Sequence, residues 1–136
     1  MIVQLAIGSL VIAMNVAIQA EMFALLHRHF PALLELLRRP FRRWANTVAI
    51  TVSVLFILLV HTLQVWLWAG ILLLVGALDA LEPALYFALV SFSTIGYGDI
   101  VMTEQWRLLS AMIGANGLLM FGWSIAYMVD LVRRTA

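Results

Sequence analysis

The chain reads as an all-α membrane protein: three membrane-spanning helices, and a short helix with a loop that enters the bilayer and turns back. Three observations predict this. Of its 136 residues, 65% are hydrophobic and 11% charged, more apolar surface than a soluble domain of this size can bury. The apolar residues form three runs long enough to cross a bilayer, for which about 20 residues suffice. Between the second and third runs lies a fourth that is too short to cross. One membrane domain is expected, divided into residues 1–45 and 46–136. No cysteine is present, which excludes disulfides and thiolate metal sites. A net charge of only +1 gives no basic field for a nucleic acid, and none is expected as a partner.

The first run, Ile2 to about Phe23, has no basic leader and is too long for a cleaved signal core. It is expected to remain as a span. Asn15 and Gln19 lie four apart, on one helical face. They either hydrogen-bond to a neighbouring helix or border an ion path. From His27 a polar connector begins. Pro31 suits the first turn of a short helix and Pro40 ends it. Its leucines at 33, 34, 36 and 37, interleaved with Glu35, Arg38 and Arg39, fit a helix lying in the membrane interface. Such a helix anchors orientation, or it acts as a lever responding to tension or lipid charge. His27 and His29, two apart, share no helical face and make no metal pair.

The second run is assigned to residues 46–78, continuous except for His61, Thr62 and Gln64. Trp66 and Trp68 lie toward its far end and are expected at the outer interface. A histidine inside a span marks a functional site unless it has a structural partner. A neutral His61 bonded to Asn15 or Gln19 would account for three polar residues at once.

Residues 79–105 are assigned to the re-entrant segment. Asp79 to Glu82 is a turn, and Pro83 to Phe92 makes ~15 Å of helix at about 1.5 Å per residue. That is half of a ~30 Å hydrocarbon core. Such a half-helix cannot face lipid, since the backbone beyond it would be unpaired, so protein and water must enclose it. Its C-terminal end, carrying partial negative charge, would favour a cation at the membrane centre.

After it comes Ser93-Thr94-Ile95-Gly96-Tyr97-Gly98-Asp99. Gly96 and Gly98 admit backbone angles closed to other residues, and Thr94 adds a hydroxyl. A plain glycine-rich turn is the alternative, but the half-length helix before it is the context a conduction loop needs. The string resembles the Thr-Val-Gly-Tyr-Gly selectivity filter of the potassium-channel pore family, with Ile95 in the valine place. The resemblance extends over roughly Pro83 to Ala126 and is firm from Ser91 to Asp99.

That resemblance implies potassium as the ion, held by Thr94, Ile95, Gly96, Tyr97 and Gly98. It implies a ring of four loops, hence a homotetramer in a lipid bilayer. Ile95 and Tyr97 would point away from the axis, and Asp99 would stand at the outer mouth. Many family members carry two tryptophans in the middle of the pore helix, where this chain has Tyr86 and Phe87. Their filter aspartate is tied to the second tryptophan or to a pore-helix carboxyl. Tyr86, Phe87 and Val90 thus take the bracing positions, and the two that would tie the aspartate, Phe87 and Val90, have side chains that cannot hydrogen-bond. A weakly braced filter is therefore expected, with Asp99 turning to water, to Arg107 or to a backbone donor. Slow loss of conduction or loosened selectivity would follow.

The last run is assigned to residues 106–134. By the same resemblance it is the cavity-lining inner helix, with Gly117 at the hinge position and Asn116 and Phe121 in the gating and cavity region. Gly114, Gly117 and Gly122 would equally let helices approach closely. Asn116 is expected to face either the cavity or the flank of the pore helix.

All eight basic residues are arginines, and Arg28, Arg38, Arg39, Arg42, Arg43, Arg133 and Arg134 fall on one side of this topology. That side is cytoplasmic by the positive-inside rule. The N-terminus is then outside and the C-terminus cytoplasmic. Asp79, Glu82, Asp99 and Glu104 gather at the outer mouth, where they would concentrate cations. No span carries an arginine ladder, which excludes voltage sensing by that route. Only four residues follow Val132, so no ligand-binding domain is expected there. Gating falls to the filter, the inner helix, the lipid or a separate regulatory protein. No span pairs a nucleophile with a base, so an enzyme is not expected. The readings in play are a potassium-selective channel, a weakly selective cation channel, and a non-conducting accessory subunit.

Overall fold

The computed structural model describes residues 1–38 and 44–135. It contains four helices: α1 (Ile2–Arg38), α2 (Ala45–Leu74), α3 (Leu81–Phe92) and α4 (Arg107–Thr135). Three of them, α1, α2 and α4, are long and apolar enough to cross a membrane, whereas α3 is not.

Helix α1 corrects the expected connector. It runs unbroken for 37 residues with Pro31 inside it, about 55 Å at 1.5 Å per residue. An interior proline costs ~3 kcal/mol or more, through a lost hydrogen bond and a ring clash. Packing offsets this cost. Phe23, Leu26 and Phe30 are buried in a cluster with Ala49 and Ile57 of α2 and Leu131 of α4. Large apolar side chains contribute ~1.5–3 kcal/mol each on full burial, so the three outweigh one proline. Pro40, Arg39, Arg42 and Arg43, on which the rest of the connector reading fell, lie outside the described residues.

The second span ends four residues before the expected Leu78. Gly76 has φ +68, Ala77 N–H donates to Leu72 O at 2.9 Å, and Gly76 N–H donates to Leu73 O at 3.1 Å. This is the Schellman closure, in which a left-handed glycine lets the chain fold back onto the last carbonyls. Trp66 is half exposed, at 48%, but Trp68, expected beside it at the outer interface, is fully buried. The apolar core claims it. Helix α3 starts at Leu81, so Pro83 is its third residue, still in the first turn where no N–H is needed.

One core joins all four helices. Val11 of α1, Trp68 and Leu72 of α2, Phe87 and Phe92 of α3, and Leu109, Ile113 and Met120 of α4 are buried together. Helix α1 packs against both α2 and α4 of its own chain. Its contacts climb in step with α4: Gly8 against Met112, Gln19 against Met120 and Ser124, and Phe23 against Trp123 and Tyr127. The two helices are therefore parallel.

Candidate functional site

Helix α3 delivers the chain to the loop at residues 93–99. At its end, Ser93 N–H donates to Leu89 O and Thr94 N–H to Ser91 O, while Ile95 and Gly96 both donate to Val90 O at 3.1 and 3.2 Å. Val90 thus contributes to bracing through its carbonyl, although its side chain cannot hydrogen-bond. The amide hydrogens at the start of the loop are turned back onto the helix. The carbonyls of Thr94 to Gly98 accept no hydrogen bond among the described residues.

The backbone of this loop alternates in handedness. Thr94 has φ 62, Gly96 φ 56 and Gly98 φ 77, and Thr94 is the one described non-glycine residue with positive φ. A left-handed angle costs an L-residue ~1–2 kcal/mol, so strain at Thr94 marks a place where the chain is held against its preference. A Cβ at Gly96 or Gly98 would meet nothing within 4 Å. Glycine stands there for its backbone angles, not for lack of room. Ile95 and Tyr97 are exposed at 57% and 71%, so neither packs within its own chain.

Asp99 corrects the expectation of weak bracing. Its Oδ2 accepts a hydrogen bond from the Tyr86 hydroxyl at 2.6 Å. That bond, aided by backbone N–H groups of Asp99 and Ile100, holds the carboxyl below the usual carboxylate range. The same bond pushes the Tyr86 hydroxyl above the ordinary tyrosine range. Of the three expected bracing positions, 86, 87 and 90, it is Tyr86 that reaches Asp99, through its phenol, whereas the partner was expected at 87 or 90. Phe87 is buried in the core beneath. Behind the loop lies a cavity of about 230 Å³, bordered by Tyr86, Val90, Gly98, Asp99, Arg107 and Ser110.

The inner-helix residues lie closer to α3 than to any open face. A Cβ at Gly117 would stand within 2.6 Å of the Phe92 carbonyl carbon and closer still to its oxygen. Gly117 is therefore the seat on which the end of α3 rests. Asn116 is fully buried, its amide without a partner, so it does not stand on an open face of the chain. Phe121 packs between Phe92, at 5.6 Å between ring centres, and His61, at 4.7 Å.

His61 bonds to neither Asn15 nor Gln19, correcting the expected pairing. Its Nδ1 lies 3.0 Å from Gln64 Oε1 and its Nε2 2.9 Å from Ser124 Oγ. Gln64 then carries the connection onward, donating to Gln19 Oε1 at 3.0 Å and to the Asn15 carbonyl at 3.2 Å. Ser124, invisible as a partner in the sequence, completes the set. Buried polar side chains make good such bonds because nothing else in hydrocarbon can.

The Ion channel family model matches residues 58–134. No curated protein and no solved structure matches the chain. The matched stretch takes in the second half of α2, all of α3, the loop at 93–99 and α4 up to Arg134. That is more than half of the chain, which belongs to the ion channel family.

Proposed function

We propose that four copies of this chain form a potassium-selective channel, with residues 94–98 as the filter. One observation carries the reading: the alternating sign of φ at Thr94, Gly96 and Gly98 in a segment whose carbonyls have no internal partner. Alternating left- and right-handed residues turn successive peptide planes the same way, so their oxygens gather on one side. Four such rows around an axis would replace the hydration shell of a potassium ion, and ions would advance by repulsion between neighbouring sites. The partial negative charge at the end of α3 would favour the cation in the cavity below.

The single chain is incomplete for this purpose. Ile95 and Tyr97, exposed here, are the side chains that neighbouring subunits would cover. Asp99 would stand at the outer mouth, N-terminus outside and Arg133–Arg134 cytoplasmic, as the arginine distribution predicts. Against weak selectivity stands the bond from Tyr86 to Asp99, which braces the loop from behind. Reversal potentials of purified protein in mixed potassium and sodium test the reading. A value near the potassium equilibrium potential, with block by barium, is expected. A value midway between the two cations supports a non-selective channel, and flux no greater than in empty liposomes supports an accessory subunit.

A further inference from the structure

Gln19, Ser124, His61 and Gln64 come from three helices and close into one ring of hydrogen bonds. Gln64 Oε1 can only accept, so His61 Nδ1 carries the hydrogen and its Nε2 is an acceptor, sharing the one Ser124 hydroxyl hydrogen with Met120 O, 2.8 Å from Oγ. Gln19 spends its two amide hydrogens on Met120 O and Ser124 Oγ, both at 3.0 Å. Gln64 spends its two on Gln19 Oε1 and Asn15 O. Every polar atom of the four side chains has a partner within hydrogen-bond distance. One helical turn away the accounting reverses. Asn15 and Asn116 are fully buried, and both atoms of both amides lack a partner. The register of α1 on α4, from Gly8 at Met112 to Gln19 at Met120, places these two amides in the same layer.

We propose that the ring is a latch tying α1 to the half of the inner helix below Gly117, and that Asn15 and Asn116 receive its polar groups when it opens. The inference rests on the channel reading, and adds to it that the half of α4 beyond Gly117 moves when the pore opens. Above the latch, α4 is fixed on α3 by the fit of Gly117 beneath Phe92. Below it, Leu131 is held in the cluster with Phe23, Leu26 and Phe30. Any bend between them must break the ring or carry α1 along. Breaking it in hydrocarbon requires other partners. Two amides with free donors and acceptors, one turn from Gln19 and from Met120 on the same helices, supply them. This gives the element two arrangements, as a switch requires. His61, against Phe121 and 6.1 Å from the Phe92 ring centre, links the latch to the end of α3.

Two full-length variants test it in planar bilayers. Gln19→Leu/His61→Phe/Gln64→Leu/Ser124→Ala makes the ring apolar, and removing all partners together leaves no orphaned group to unfold the chain. Asn15→Leu/Asn116→Leu removes the receiving amides. Open probability should shift at least about fivefold in each, the low end of usual coupling between sites, and in opposite directions. Conductance and reversal potential should not change. Shifts of the same sign, or open probabilities within about twofold of the parent, overturn the latch. Hydrogen exchange of residues 118–134 reads the latch without current: faster in the first variant and slower in the second is expected, and equal rates in both overturn it. A parent that carries no current but shows these exchange changes refutes conduction and leaves the latch standing.

Discussion

The loop at 93–99 and the ring around His61 face the same physical problem and solve it in opposite ways. Both place many polar atoms within an apolar protein. In the ring, donors and acceptors from α1, α2 and α4 are spent on each other. In the loop the carbonyls are left without partners, by a backbone held at positive φ in three places. Closed polarity fastens helices together. Open polarity keeps its oxygens for something that comes from outside.

If this contrast is right, damage to the loop should abolish transport and spare the fold. Gly98→Ala tests it most severely. Within its own chain the new methyl has room, and the left-handed angle is penalised by ~1–2 kcal/mol, which the loop relieves by leaving the conducting conformation. Potassium flux should fall at least about a hundredfold, with thermal stability in detergent nearly unchanged. Gly117→Ala should do the reverse. Its methyl collides with the backbone of Phe92, and overpacking costs ~1–3 kcal/mol or more, so the melting temperature should drop clearly.

The closed side is sharpened by a single substitution in the ring. Gln64→Leu leaves the His61 Nδ1–H and Gln19 Oε1 buried without partners, at ~1–3 kcal/mol. The melting temperature should fall further than in the fully apolar ring. Equal losses would show that the hydrogen bonds contribute nothing beyond packing.

The smallest effect is expected at the edge of the open side. Tyr86→Phe removes the hydroxyl that donates to Asp99 and should hasten the decay of current during prolonged opening by about two- to fivefold, the lower end of usual coupling. The pH dependence has a definite sign. Because the bond lowers the Asp99 pKa, the brace is intact above the ordinary aspartate value of ~3.9 and is lost as pH falls through the lowered value. The raised Tyr86 pKa keeps the brace to above ~10 on the alkaline side. Decay in the parent should therefore be flat from about pH 5 through neutrality. In Tyr86→Phe, which has no such bond to lose, decay should be fast and equally flat as pH falls through the aspartate range.

Much of the fold was legible because its signals are local. Run lengths, the half-length helix and the spaced glycines at 96 and 98 can each be read without knowing what they touch. What escaped depends on tertiary neighbours. Pro31 reads as a boundary, and only the burial of Leu26 and Phe30 reveals why α1 passes through it. Trp68 reads as an interface residue until the core encloses it. The signal at Gly76 was available, since a glycine followed by a turn commonly ends a helix, but the apolar residues beyond it hid the stop. The ring was half legible. Asn15, Gln19, His61 and Gln64 stand out as polar residues within spans, whereas Ser124 is too ordinary in a helix to be noticed, and pairing among five groups is not encoded in spacing. Tyr86 was legible as a bracing position, but its bond to Asp99 was not, because that bond requires a side chain to reach across from α3 to the loop.

Anomalous diffraction from crystals grown with thallium in place of potassium measures the central claim most directly. Four chains around one axis, with anomalous peaks on that axis level with the carbonyls of Thr94 to Gly98, are predicted. A dimer or trimer, or an axis with no peak between those oxygens, would contradict it.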